Sequence, residues 1–205
     1  RGARTASALS HPNTVRVYDF GQTEDDELYL VMEHLTGTSL HRVIRDEGPL
    51  PVERVSRIGG DIAQALAEAH GIDLIHRDLK PENVILGDAV GKPDFVKVLD
   101  FGLAKFITAD SSEPSLTATG MLVGTPYYMA PERAQGDRII SPAVDIYALG
   151  VILYEMISGV RPFEADTPLG VLTRHVTDPV PVLANRDALP SVFVDLLDRM
   201  LSKIP

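Results

Sequence analysis

Four polar residues in two short segments have the types and the spacing that chemistry needs. Asp78, Lys80 and Asn83 lie within the string HRDLKPEN at residues 76–83, and Asp100 follows in LDFG. Carboxylate and amide oxygens are hard ligands that suit Mg²⁺, and an ammonium group can stabilise negative charge that develops on a reacting group. Without wider context, the favoured interpretation of the two aspartates would still be that they cap turns.

The wider context comes from three motifs that follow one another along the chain. HRDLKPEN has the form H-R-D-x-x-x-x-N, DFG stands at residues 100–102, and APE stands at residues 130–132. In this order and at these spacings they resemble the catalytic loop, the metal-binding turn and the end of the activation segment of protein kinases. Three unrelated strings would have to coincide by chance, so the joint signal is specific although each string alone is weak.

The resemblance implies transfer of the γ-phosphate of ATP, a reaction that depends on charge neutralisation and in-line positioning. By this resemblance Asp78 accepts or orients the proton of the acceptor hydroxyl, and Lys80 contacts the moving phosphoryl group. Asn83 and Asp100 are the implied ligands of Mg²⁺, with Mn²⁺ as an alternative. For Asn83 the competing interpretation is an Asx turn.

The acceptor is implied by two further strings. Lys80 within DLKPEN, and GTPYYMAPE at residues 124–132, resemble serine/threonine rather than tyrosine kinases. The same resemblance implies that Thr125 hydrogen-bonds Asp78 and Lys80 beside the acceptor hydroxyl. We therefore expect a serine/threonine protein kinase, whose partners are ATP and protein substrates that carry serine or threonine.

The string LVMEHL, which ends at Leu35, is similar to the strand that leads into the hinge between the two kinase lobes. The implied adenine contacts are the side chain of Met32, behind the pocket, and the backbones of Glu33 and Leu35. Ser39 stands where a polar residue often meets the ribose, and Ile85 stands where an apolar residue lies under the adenine ring. A helix N-cap explains Ser39 equally well, and ordinary core packing explains Ile85.

Four residues have implied regulatory roles. Arg77 and Lys105 can face a phosphate on the activation loop, and Thr117 and Thr119 lie where bacterial kinases of the eukaryotic-like type autophosphorylate. A phosphothreonine adds about −1.5 to −2 charges, which can order a loop against such cations. The alternative is a polar loop that carries no modification.

Three further acidic residues are not expected to take part in catalysis. Asp145 lies in an apolar helix, where a buried charge must be bonded, and the resemblance implies that it holds the backbone of the catalytic loop. Glu82 and Glu155 match positions that favour basic substrates in some kinases. We nevertheless expect both to be solvated surface residues.

Two parts of the kinase pattern are absent from these 205 residues. No G-x-G-x-x-G occurs and no lysine precedes Lys80, although kinases hold the nucleotide phosphates with a glycine-rich loop and a strand lysine. Gly2 stands where the glutamate that pairs with this lysine would fall. We expect a kinase domain truncated at both ends, nearly inactive alone, from an active parent. The alternative is a non-catalytic, kinase-like scaffold or binding domain, whereas a phosphatase or metal hydrolase is disfavoured because no cluster of histidines and carboxylates occurs.

Composition narrows the class of protein further. Nineteen Lys and Arg residues stand against 29 Asp and Glu, a net charge of −10, which argues against nucleic acid or an anionic membrane as the main partner. The chain has no cysteine, which excludes disulfides and thiolate metal sites and allows a reducing, cytoplasmic location. The sequence predicts no signal peptide and no membrane-spanning segment in these residues. Whether the parent protein has a membrane anchor elsewhere is left open.

Periodicity predicts an α+β chain. Apolar spacing predicts strands at 14–20, 28–33, 84–86 and 95–99, helices at 51–70, 142–159, 166–176 and 189–202, and a polar loop at 107–120. The helix at 142–159 is apolar all round, which places it in the centre of the core. Close backbone packing is expected to explain the pair Gly59 and Gly60. With the resemblance, this predicts the two-lobed protein-kinase fold, with a partial N-lobe at residues 1–33 and the hinge and incomplete C-lobe at residues 34–205.

Overall fold

The first sheet of the computed structural model, which describes residues 8–89, 91–101, 126–137 and 140–204, has two antiparallel strands. They are β1 (Val17–Gln22) and β2 (Leu28–Met32). The predicted start of the first strand was wrong by three residues, because the preceding segment pairs elsewhere. The Val15 N–H donates to the Val98 carbonyl at 3.0 Å, so this segment joins the second sheet of the protein.

The second sheet has three antiparallel strands in the order β3 (Thr38–Ser39), β4 (Val84–Ala89) and β5 (Lys92–Val98). Strands β4 and β5 both reach further towards their shared turn than predicted, and β5 ends one residue before the predicted limit. Gly91, directly before β5, adopts a positive φ of 78°, which glycine tolerates without steric cost. The register places Val84 opposite Val98, so the open ends of β4 and β5 lie side by side.

The described residues also contain six α-helices. They are α1 (Leu40–Glu47), α2 (Val52–Gly71), α3 (Pro131–Ala134), α4 (Ala143–Ser158), α5 (Pro168–Thr177) and α6 (Ser191–Met200). Single 3₁₀ turns lie at Pro81–Asn83, Pro126–Tyr128 and Arg186–Ala188. The four predicted helices are confirmed, with ends that differ by one to two residues.

Helix α4 is the centre of the core, as its uniform apolar character predicts. Thirteen of its 16 residues are buried, and it packs against α2. At Gly59 of α2, a Cβ atom would lie 2.5 Å from Leu153 Cδ2, which confirms close packing there. The same expectation for Gly60 was wrong, because a Cβ at Gly60 would meet no atom within 4 Å.

The described elements form an α+β fold, with a small sheet followed by a helical body. The β1–β2 sheet is largely exposed: Tyr18 and Leu28 keep 62% and 58% of their surface accessible. None of the helices in the described parts of the chain combines the length and the apolarity needed to cross a membrane.

Candidate active site

The string at residues 76–83 forms the loop between α2 and β4 and presents one carboxylate beside one ammonium group. Asp78 Oδ2 lies 2.7 Å from Lys80 Nζ, and the two side chains are 48% and 21% exposed. Asp78 is therefore open to a ligand, whereas Lys80 reaches it from a more sheltered position. The two groups together can accept a proton and stabilise a neighbouring anion.

The backbone of this loop is held by Asp145 from the first turn of α4. The Asp145 carboxylate, 1% exposed, accepts hydrogen bonds from the backbone N–H groups of His76 at 2.8 Å and Arg77 at 2.9 Å. His70 Nε2 lies 2.8 Å from the same carboxylate. The buried charge thus has the bonds that it needs, and the loop is tied to the central helix as expected.

His70 is a site residue that the sequence did not reveal. It lies near the C-terminal end of α2, outside the three motifs that identify the other site residues. The available signal was Asp145 itself, since an acidic residue within an apolar helix demands partners. The sequence does not say which residues those partners are.

Two residues of the site adopt a backbone conformation that is rare for residues other than glycine. Arg77 has φ of 71° and Asp100 has φ of 59°. Arg77 is held on both sides, because its N–H donates to Asp145 and its carbonyl accepts a hydrogen bond from the Arg133 guanidinium. Such conformations persist only where the surroundings impose them, and they cluster at functional sites.

Asn83 and Asp100 come together at the open ends of β4 and β5. The Leu99 N–H donates to the Asn83 carbonyl at 2.8 Å, which continues the strand pairing by one step. Asn83 is 8% exposed, and its Nδ2 donates to the Asp78 carbonyl at 2.9 Å. This orientation assigns the amide oxygen Oδ1 as the atom that would bind a cation.

The donor set at this point fits a hard divalent cation. One amide oxygen and one carboxylate suit Mg²⁺ or Mn²⁺, which keep several water or phosphate ligands of their own. Within the described residues, no group of three or more histidines and carboxylates is arranged to hold a metal ion. Two protein ligands leave the other positions around such a cation open to water or phosphate oxygens.

A small apolar cleft lies next to Asp100. It is lined by Leu9, Val15, Val17, Leu30, Met32, Asp100 and Phe101. The ring of Phe101 also packs on His76, with ring centroids 4.8 Å apart. Met32, the residue expected behind the adenine pocket, thus shares a cleft with the expected metal ligand.

The other residues of the expected nucleotide pocket have mixed positions. Leu35 is half-buried, and Ile85 is half-buried on the face of β4 opposite to the buried Val84 and Leu86. Ser39 caps α1, because its Oγ accepts a hydrogen bond from the Arg42 N–H at 3.4 Å. The structure therefore contains the helix N-cap that was the alternative interpretation of Ser39.

Several predicted site residues lie outside the described residues. They are Gly2, Lys105, Thr117, Thr119 and Thr125. Arg77 is described, and its backbone contacts Asp145 of α4 and Arg133 of α3. The predicted contact of Thr125 with Asp78, and the predicted phosphate site between Arg77 and Lys105, stay predictions.

Of the two glutamates expected at the surface, one is buried. Glu82 is 44% exposed and lies 3.4 Å from His41 Nδ1, in agreement with the expectation. The prediction for Glu155 was wrong: this residue is 9% exposed, and the Tyr128 hydroxyl donates to its Oε2 at 2.7 Å. Burial raises the pKa of the Glu155 carboxyl, although the hydrogen bond from Tyr128 opposes this.

Comparison with known proteins identifies a family for this arrangement. The protein kinase domain family matches residues 3–205. The serine/threonine-protein kinase pkn3 of Myxococcus xanthus is 46% identical over 208 residues, which cover 100% of this chain and 38% of pkn3. The serine/threonine-protein kinase PknB of Mycobacterium tuberculosis is 38% identical over 209 residues, which cover 100% of this chain and 32% of PknB. The chain thus spans about a third of the length of these curated relatives.

Proposed function

The chain belongs to the protein kinase family, and we propose that it transfers the γ-phosphate of ATP to serine and threonine hydroxyls of proteins. The observation that carries this proposal is the contact of Asp78 Oδ2 with Lys80 Nζ at 2.7 Å, next to Asn83 and Asp100 at paired strand ends. Relatives named as serine/threonine-protein kinases support the choice of acceptor.

In the proposed reaction, Asp78 accepts the proton of the substrate hydroxyl, whose oxygen bonds to the γ-phosphorus while the bond to the β-phosphate oxygen breaks and ADP leaves. Its carboxylate is half exposed, so a substrate can reach it, while its backbone is fixed through the neighbouring loop residues. When Asp78 takes up the proton, its negative charge is lost and its attraction for Lys80 weakens. The Lys80 ammonium is then free to donate hydrogen bonds to the oxygens of the phosphoryl group.

Asn83 and Asp100 would hold Mg²⁺. The metal ion would supply positive charge that offsets the negative charge of the phosphate oxygens. The protein keeps its two ligands adjacent through the Leu99 N–H bond to the Asn83 carbonyl. It keeps the Asn83 amide oriented through the bond from Nδ2 to the Asp78 carbonyl.

We assign the adenine to the cleft beside Met32, with the backbones of Glu33 and Leu35 at its edge and Ile85 below the ring. The exposed side of β4 supports this choice, because Ile85 turns away from the core that its neighbours on the strand enter. In the same proposal the chain autophosphorylates at Thr117 or Thr119.

The test is transfer of labelled γ-phosphate from Mg·ATP to the protein itself and to a generic basic protein, with the full-length gene product. Asp78→Asn should lower the rate by about 10²- to 10⁴-fold, the usual contribution of a general base, without a change in thermal stability. Asp73→Asn is the matched control, because Asp73 is exposed and lies five residues earlier. Mass spectrometry of the same reaction shows whether Thr117 or Thr119 takes up phosphate. A well-folded protein with no transfer would overturn the enzyme proposal and identify a kinase-like binding domain.

A further inference from the structure

Lys97 is a largely buried lysine that none of the preceding roles uses. It lies on β5 with 17% of its side chain exposed, and its Nζ lies 2.6 Å from Glu33 Oε1. The same ammonium donates to the Thr14 carbonyl at 3.2 Å. This cation on β5 therefore contacts two other segments of the chain: the residue after β2 and the segment before β1.

Glu33 is held from two directions. Its Oε1 also accepts the Arg16 N–H at 2.8 Å, and its own N–H donates to the Arg16 carbonyl at 2.9 Å. Burial raises the pKa of the Glu33 carboxyl, but the hydrogen bonds from Lys97 and the Arg16 N–H outweigh burial, so the net shift is downward. Glu33 is thus an ionised group whose backbone and side chain are both fixed.

This ion pair joins two stretches of chain that each contribute to the cleft. Met32, next to Glu33, and Asp100, three residues after Lys97, both line it. Among the described residues, Lys97–Glu33 is the one salt bridge that joins residues 8–33 to the rest of the chain. Backbone hydrogen bonds between residues 13–15 and Val98 also join these two parts of the chain, and Lys97 adds the ion pair that lies next to the cleft.

We propose that Lys97 is a positioning residue for nucleotide binding, which fixes the backbone of residues 33–35 at a set distance from Asp100. This rests on the proposed function, in which that backbone meets the adenine and Asp100 holds the metal. Without Lys97, the Glu33 carboxylate would lose its cation and turn towards solvent. The segment after β2 would then lose its side-chain connection to β5, while the catalytic loop would keep all of its own contacts.

The test is a set of substitutions in the full-length gene product, with KM for ATP and kcat measured separately. Lys97→Met should raise KM for ATP by about threefold to tenfold, part of the value of a hydrogen bond to a charged group, and change kcat much less. Glu33→Gln should give a similar rise, and the double variant should be no worse than the single ones. Lys97→Arg keeps the charge and should restore most of the affinity. Arg57→Met is the matched control, because it removes the bond from Arg57 to Asp94 at 2.8 Å, away from the cleft.

The outcomes separate this inference from the proposed function. If the wild-type protein neither binds nor uses ATP, the proposed function fails and the inference fails with it. If the wild-type protein is active and Lys97→Met lowers only its melting temperature, or lowers kcat with KM unchanged, Lys97 has a purely structural role and the inference alone is overturned. Should Lys97→Met not fold, the binding constant of Glu33→Gln for a fluorescent ATP analogue decides, and a wild-type value would refute the inference.

Discussion

The substitution Asp145→Asn tests how far the catalytic loop depends on one buried carboxylate. The carboxylate accepts the backbone N–H groups of His76 and Arg77, and it also contacts the His70 ring. Asparagine has nearly the same shape but offers only one accepting oxygen, and its amide group is a donor. Whichever way the amide turns, one of the two backbone N–H groups faces another donor. The imidazole of His70 can adapt, because its ring nitrogen accepts when the proton moves to Nδ1.

The cost of this substitution follows from these contacts. A buried N–H group without an acceptor costs about 1–3 kcal/mol. The bond that survives is no longer charge-assisted, which removes about half of its strength, or roughly 1 kcal/mol. The sum is about 2–4 kcal/mol of unfolding free energy, which for a chain of this size corresponds to a fall in melting temperature of about 5–15 °C.

Urea unfolding, followed by circular dichroism, measures this cost directly. Asp195→Asn is the matched control, because Asp195 is an exposed helical aspartate on α6, and its replacement should change stability by less than about 0.5 kcal/mol. Phosphoryl transfer by Asp145→Asn should fall as well, since Asp78 follows the two residues whose backbone is released. If Asp145→Asn unfolds at the same urea concentration as the wild type, the carboxylate does not hold the loop, and the reasoning is refuted.

Two further predictions concern the core and the segment before β1. Gly59→Ala should destabilise the protein by about 1–3 kcal/mol, because the new methyl group meets Leu153. Gly60→Ala should stabilise it by about 0.5–1 kcal/mol, because alanine favours the helix and its methyl group meets no atom. Thermal unfolding measures both effects, and equal effects would contradict the packing of Gly59 on Leu153. Burial raises the pKa of Glu68, but the backbone N–H groups of residues 10–11 outweigh it and lower the pKa below 4.5. Ionised Glu68 therefore stabilises the fold above pH 4.5, and this contribution is lost as the pH falls through the lowered pKa. The stability gap between wild type and Glu68→Gln should shrink from pH 7 to pH 3, and a constant gap would contradict it.

The sequence predicted the parts of the site that are local in the chain. Asp78, Lys80 and Asn83 belong to one string of eight residues, and their relation needs only a loop of the expected shape. The central position of α4 was also predictable, because a helix that is apolar on every side can only be buried.

The rest of the site and of the fold depends on contacts between residues that are distant in the sequence, and these contacts cannot be predicted from hydrophobic periodicity. Lys97 and Glu33 are 64 residues apart, and each alone is an ordinary charged residue. Glu155 was expected at the surface because it is charged, but Tyr128 supplies a hydroxyl from 27 residues away. The start of β1 was misplaced for the same reason, since Val15 pairs with Val98.

The bonds to Asp145 also set the order of events during synthesis. They join residues that are 68 to 75 positions apart, and contacts of such separation form late because a long loop must close first. A ribosome releases the chain from its N-terminal end, so the catalytic string emerges well before α4. A nascent chain that ends before residue 145 therefore carries the whole motif without its final shape. The loop at residues 76–83 therefore takes its final shape only after the central helix has been made.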